Sequence, residues 1–225
     1  MRKEYQLKGV ITPPTAIIPS HITYEDFEEV CSFGSAGTGD DWKVYRSPQV
    51  ISGGNYSLYQ ATKATTPTAG DYVYTTLKLP YYVSPINNIE LQFSHFTTDN
   101  KIEVEIEFFT NYDKPNISFA PLIRLSCETG ELYVRDEERN LQKIGTVGAI
   151  SQGWWTLFGM VVNLETQEYI SARIGTMEFV IKGIKFYKSN VFHPTPLVNL
   201  TIYSTTANIK ARAYFDNLCI MGLLK

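Results

Sequence analysis

Three glutamates alternate through Lys101-Ile102-Glu103-Val104-Glu105-Ile106-Glu107-Phe108. In an extended strand, residues i, i+2 and i+4 share one face. Glu103, Glu105 and Glu107 would therefore form a carboxylate stripe, with Ile102, Val104, Ile106 and Phe108 turned the other way. Two carboxyls about 5–5.5 Å apart suit retaining glycoside hydrolysis, one as nucleophile and one as acid/base. The competing reading is a solvated strand face, because alternation alone generates the pattern. Lys101 at one end of the stripe favours that reading. On an open face, charges are screened and titrate near their ordinary values.

A second chemistry is aromatic. The chain has 15 tyrosines and 3 tryptophans, several of them clustered as Tyr72/Tyr74, Tyr81-Tyr82 and Trp154-Trp155. Rings of this kind offer an apolar face and a polar tip, and such residues are enriched at interfaces. Alternation places one ring of Trp154-Trp155 inside and one outside. Trp154, Trp155, Tyr81 and Tyr82 are thus the expected ligand-binding residues. His21, His95 and His193 are scattered, and no G-x-S-x-G context accompanies them, which argues against a triad. Cys31, Cys127 and Cys219 are odd in number and lack a C-x-x-C pair, so a zinc site or disulfide framework is not expected. Cys219 reads as a buried thiol in an apolar strand, and Cys31 with Cys127 is the one pairing open to an oxidising compartment.

The elements that position these residues are strands. Period-two runs cover Tyr72–Leu79, Ile89–Phe96 and Lys101–Phe108, with further candidates at Leu122–Ser126, Glu131–Arg135, Trp154–Asn163, Glu168–Ile174, Met177–Lys182, Leu197–Tyr203 and Lys210–Ile220. Alternation means one buried and one wet face. Glu128-Thr129-Gly130 separates two runs, Gly175 and Gly183 bracket another, and Asp99-Asn100 predicts a tight hairpin. Ser32–Gly39 and Thr65–Gly70 read as loops. The single helical candidate is the short Tyr24–Val30. These features predict an all-β, two-sheet antiparallel jelly-roll sandwich. Its core is expected to include Val104, Ile106, Leu157, Phe179 and Phe215. Pro13, Pro14 and Pro19 make residues 1–21 an irregular arm, leaving 22–225 as one domain, with a homo-oligomer through the arm as an option.

The net charge of −3 and scattered basic residues give no footprint for nucleic acid. No apolar run of 18 residues predicts a membrane span. The start Met1-Arg2-Lys3-Glu4-Tyr5 lacks an apolar stretch behind it, so no secretory signal is expected. A cytoplasmic or virion-associated location follows unless processing has occurred.

Two ends of the chain carry a resemblance. Asp26-Phe27-Glu28, Asp41-Trp42 and Gly53-Gly54-Asn55-Tyr56-Ser57-Leu58 stand near the start, and Ala213-Tyr214-Phe215-Asp216-Asn217-Leu218-Cys219-Ile220 near the end. Together they resemble the opening and closing strands of concanavalin-like and laminin-G-like jelly rolls and of galactose-binding-like carbohydrate modules. Trp154-Trp155-Thr156-Leu157, Val161-Val162-Asn163 and Gly175-Thr176-Met177-Glu178-Phe179 are similar to the central run of the concanavalin-like group. The resemblance implies a structural calcium held by Glu28 and Asp216, with Glu25 or Asp26 beside them, since a hard cation takes oxygen ligands. The stripe is similar to the E-x-D-x-E strand of laminarinase-type hydrolases, which would make Glu103 the nucleophile and Glu107 the acid/base. Glu105 stands where that pattern has Asp. This architecture hosts many functions. Three follow as expectations: a non-catalytic module recognising carbohydrate, a structural or assembly protein, and a laminarinase-like hydrolase.

Overall fold

A computed structural model describes residues 19–25, 27, 33–79, 87–111, 118–190 and 196–223. Among them the chain is built from strands and no helix. In order these are β1 (Pro19–Glu25), β2 (Phe33–Gly37), β3 (Lys43–Ser47), β4 (Ser57–Ala61), β5 (Tyr72–Lys78), β6 (Asn88–Thr97), β7 (Ile102–Asn111), β8 (Ser118–Phe119) and β9 (Leu122–Ser126). There follow β10 (Glu131–Arg135), β11 (Leu141–Thr146), β12 (Trp155–Asn163), β13 (Glu168–Ile174), β14 (Met177–Val180), β15 (Lys188–Ser189), β16 (Leu197–Ser204) and β17 (Arg212–Leu223). The first sheet runs β14-β13-β12-β6-β17-β4-β3, with β1 also on β17. The second runs β11-β10-β9-β7-β16-β5-β2, with β8 and β15 beside the end of β7. Neighbouring strands are antiparallel, and the fold is the expected all-β jelly-roll sandwich.

The inner faces make one core. Ile102, Val104, Ile106 and Phe108 of β7 have no exposed surface. On the opposite sheet the Phe93 ring lies 5.1 Å from Phe158 and 5.6 Å from Phe215. Val104, Ile106 and Phe215 are buried as expected, and Phe179 packs at the margin. Leu157 departs from the expectation. It pairs with Ser94, on the face of β6 opposite Phe93, so it points outward. Thr156, Phe158, Met160 and Val162 take the other phase of β12, where Phe158, Met160 and Val162 are buried.

Two polar bridges cross the core. Gln60 of β4 donates Nε2 to Thr75 Oγ1 (2.8 Å) and to the Leu200 carbonyl (3.0 Å) on the other sheet. Tyr169 of β13 reaches over to β9 and β10. Its hydroxyl lies 3.0 Å from the Leu122 carbonyl and 2.9 Å from that of Arg135, and it accepts from Leu122 N at 2.8 Å. A buried donor left unpaired costs about 1–3 kcal/mol, so these bridges fix how the sheets stack. Gly130 fixes a turn. Its φ is +67°, and a Cβ there would stand 1.8 Å from the Gly148 carbonyl oxygen.

Four local expectations differ from the structure. Asp99-Asn100 is not a hairpin: β6 lies in the first sheet and β7 in the second, so the turn carries the chain across the sandwich. Both strands bury one face, and they bury them against each other rather than pairing edge to edge. Within Ser32–Gly39, Phe33–Gly37 is a strand on β5. Gly37 is needed there because a Cβ would come within 2.8 Å of the Tyr72 carbonyl and 2.9 Å of Trp42. The helical candidate Tyr24–Val30 begins as strand, since Tyr24 and Glu25 pair with Cys219 and Leu218. Because β4 pairs only Arg212–Phe215, the far half of β17 has a free flank that captures β1. Pro19–His21, placed in the arm by sequence, belong to β1, and residues 1–18 lie outside the described ones.

Candidate functional site

The outer face of the second sheet gathers the polar residues of several strands. Register sets Tyr74, Thr201, Glu105, Arg124 and Tyr133 in one row across β5, β16, β7, β9 and β10. The row on one side holds Thr76, Asn199 and Glu107, and that on the other holds Tyr72, Tyr203 and Glu103. Over β5, β16 and β7 these side chains line a groove of about 430 Å³, walled by Tyr72, Tyr74, Tyr203, Glu105, Glu107 and Asn199, with Phe109 and Leu197 lining one end.

The carboxylate stripe is not a face open to solvent. Glu105 is only 5% exposed. Arg124 donates to it from Nε (2.7 Å) and Nη2 (2.5 Å), and from Nη1 to Glu103 (3.3 Å). The Arg124 guanidinium also lies 4.6 Å from the Tyr203 ring centre, and the Tyr203 hydroxyl bonds to Glu105 Oε1 at 3.1 Å. Glu107 pairs with Arg135, and Asn199 Nδ2 approaches it at 3.4 Å. Thr76 Oγ1 donates to Asn199 Oδ1 at 2.7 Å, which orients the amide. Arg135 is held in turn by the Ala120 carbonyl at 2.9 Å. The expectation of a wet face fails because β9 and β10 supply arginines level with the acids. Strand pairing, invisible in a single sequence, brings them there.

Electrostatics follow from this burial. Burial pushes the Glu107 carboxyl above the ordinary carboxylate range, against the pull of Arg135. Burial, then the Glu105 charge, pushes the Tyr203 phenol well up. Tyr203 is therefore a hydrogen-bonding hydroxyl, not a phenolate base.

The other residues singled out by sequence are placed elsewhere. Trp155 lies on the outer face of the first sheet. Its ring is 5.7 Å from Phe96, and its Nε1 donates to the Ile51 carbonyl at 3.0 Å. Trp154 precedes β12 and is 73% exposed, beside a second, shallower depression of about 380 Å³ that Ile150 and Met177 also line. Neither ring enters the core between the sheets, because β12 begins at Trp155 with that residue outward. Tyr81, Tyr82, Glu28, Asp26 and Cys31 lie outside the described residues. Cys127 is a free thiol in the core, which burial pushes up to about 12.

Asp216 is fully buried. Its Oδ2 accepts from Ser52 N (2.9 Å) and Gly53 N (3.2 Å), and its Oδ1 from Asn217 N (2.8 Å). The carboxylate thus clasps the Gly53–Leu58 motif to the closing strand. Among the described residues no group of three or more His, Cys, Asp or Glu is placed to hold a metal. No helix among them is long and apolar enough to cross a membrane.

Sequence reasoning missed Tyr203, Asn199 and Thr76 as site residues. Their signal was present in the outward phase of Leu197–Tyr203 and Tyr72–Lys78. What was missing was that these strands flank the acidic one.

The sequence matches no protein-family profile and no curated protein. Solved structures do match by shape. The endo-β-1,4-glucuronan lyase of the fungus Trichoderma reesei superposes with a TM-score of 0.55 at 12% identity, over 91% of this chain and 95% of that one. The cellulose-induced protein Cip1 gives 0.54 at 11%, over 88% and 96%. A carbohydrate esterase of the Shiga toxin-encoding bacteriophage phi24B gives 0.52 at 10%, over 84% and 89%. At these identities the likeness establishes the jelly-roll fold alone.

Proposed function

We propose that this domain is a non-catalytic binding module that holds carbohydrate in the groove over β5, β16 and β7. The observation that carries the reading is the groove's lining. Tyr72, Tyr74 and Tyr203 offer ring surface, the first two with their hydroxyls as well, while Glu105, Glu107 and Asn199 offer hydrogen-bond partners fixed by Arg124, Arg135 and Thr76. Amphipathic rings beside pre-oriented polar groups suit a ligand with apolar faces and a rim of hydroxyls. The similar folds named for a glucuronan lyase, a carbohydrate esterase and a cellulose-induced protein are consistent with that ligand class.

Binding without turnover is favoured by the state of the acids. Glycosidic cleavage needs one carboxyl free to protonate the leaving oxygen and another free to attack or to activate water. Glu103 and Glu105 share Arg124, and Glu107 is tied to Arg135. Burial moves Glu107 in the direction an acid needs, but its ion pair occupies it.

The test is titration calorimetry of the wild type, Tyr74→Ala and Tyr203→Ala against a panel of glucan, xylan, mannan and galactan oligosaccharides. We expect at least one to bind, with affinity falling about tenfold in each variant, as for an interface hot spot worth above 1 kcal/mol. Binding to none of them would overturn the reading. The same panel is incubated with wild type and assayed for new chain ends, and none is expected. Cleavage that disappears in Glu103→Gln/Glu107→Gln would establish a hydrolase instead.

A further inference from the structure

The groove's charge and shape narrow the ligand beyond carbohydrate in general, and this step rests on the reading just given. We infer that it takes a neutral polysaccharide chain laid along β16, and discriminates against chains carrying uronate or sulfate groups.

The shape argument comes from register. The wall residues on β16 run from Leu197 to Tyr203, six residue steps of about 3.4 Å each, or roughly 20 Å along the strand. This is a track for several consecutive sugar rings, with the Tyr72, Tyr74 and Tyr203 rings at one end and Phe109 and Leu197 at the other.

The charge argument is about which ionised groups face the track. Among the described lining residues, Glu105 and Glu107 are the ionisable carboxylates, and no Lys or Arg stands with them. Lys78 is opposite Leu197 at the far row and faces outward. Arg124 and Arg135 lie on the strands beyond and are engaged already. Arg124 serves two carboxylates and covers the Tyr203 ring, and Arg135 serves Glu107 and the Ala120 carbonyl. Swinging either arginine towards a uronate would weaken its hold on a carboxylate that is largely buried, which is unfavourable. A sugar hydroxyl has the opposite fit. It donates to a carboxylate oxygen in a charge-assisted hydrogen bond and displaces no ion pair.

Tyr203 points the same way. Lyases that open uronate chains need a group that neutralises the sugar carboxylate and a base that removes the neighbouring proton. Here the Tyr203 phenol, bonded to Glu105, is held protonated by burial and by that charge. The chain shares its fold with a glucuronan lyase, but its groove has the wrong charge for that polymer.

The experiment uses pairs of oligosaccharides with one backbone and one difference: β-1,4-glucan with β-1,4-glucuronan, and β-1,4-mannan with β-1,4-mannuronan. Titration calorimetry is run on the whole chain at neutral pH. The expected result is that a neutral member binds, that its acidic counterpart binds about tenfold or more weakly because like charges are brought together, and that the neutral affinity is unchanged between about 50 mM and about 500 mM salt. Glu107→Gln should narrow the ratio within that pair. An acidic member binding as tightly as its neutral partner would overturn this inference and leave carbohydrate binding standing. No binding in any pair, nor to any oligosaccharide of the first panel, would overturn both.

Discussion

Both outer faces of the sandwich carry aromatic rows, and among the described residues the two rows differ in what lies beside the rings. On the first sheet the Tyr59 ring lies 4.8 Å from Tyr45 and 4.9 Å from Tyr214, and Phe96 lies 6.0 Å from Tyr214 and 5.7 Å from Trp155. These rings pack on one another. Trp155 is tied to the Ile51 carbonyl and Val50 packs against the cluster, so the surface is a minor hydrophobic core. On the second sheet Tyr72, Tyr74 and Tyr203 stand at the margin of a groove whose floor is hydrogen-bonding. Aromatic content therefore does not make a binding face. Rings meet on this face too, Tyr72 lying 6.3 Å from Tyr74 and 6.2 Å from Tyr203; what distinguishes the two is that here they also stand beside oriented polar groups.

The comparison breaks most sharply under substitution. Tyr59→Ala should remove about 3 kcal/mol of stability, as for other large-to-small changes at buried aromatics, and leave glycan affinity unchanged. Denaturant unfolding read beside calorimetry checks both halves. Affinity lost in proportion to stability would mean the two faces are not independent.

Acid provides a second separation. His95 is fully buried among Phe93 and Phe158, beside the Thr156 backbone. Burial pushes its pKa down from 6.5 to about 4. The unfolded chain then takes up the proton first, so stability is complete above pH 6.5 and falls as pH drops towards 4, by about 3 kcal/mol. Glu107 has the opposite sign. Its raised pKa means the folded state takes up the proton more readily, so its contribution is present at low pH and is lost as pH rises through that pKa. Unfolding curves across pH should show the net acid loss, and His95→Leu should flatten it. An unchanged slope in that variant would place the acid sensitivity elsewhere.

Tyr169→Phe tests the support beneath the groove. It removes the hydroxyl that serves Leu122 and Arg135. A loss of about 1–3 kcal/mol is expected, from backbone groups left without partners, with a smaller loss of affinity. The smallest effect is expected at Trp154. Trp154→Ala should change stability by no more than about 0.5 kcal/mol, as for an exposed residue, and should leave binding at the groove unaltered.

Most of the fold was legible because alternation is a local property. The strands β5, β6, β7, β9, β10, β13 and β16 all sit where period two marked them. The edge strand β2 was not legible: its Phe-Gly-Ser-Ala-Gly sequence reads as a loop, and only β5 beside it makes it a strand. The stripe Glu103–Glu107 was found, and its environment was misjudged for the same reason. Arg124 and Arg135 are 19 and 28 residues away from their partners, and Tyr203 and Asn199 are 98 and 92 away. A site assembled from side chains on five strands leaves no contiguous motif. The paired tryptophans did leave one, and it lies on the other sheet.

The most direct test of the central claim is a backbone amide spectrum recorded as a bound neutral oligosaccharide is titrated in. The account predicts shifts clustered on β5, β16 and β7, at Tyr74, Thr76, Glu105, Glu107, Asn199 and Thr201, with little movement around Trp154 and Met177. Shifts confined to the Trp154 depression or to the Tyr59 cluster would contradict it.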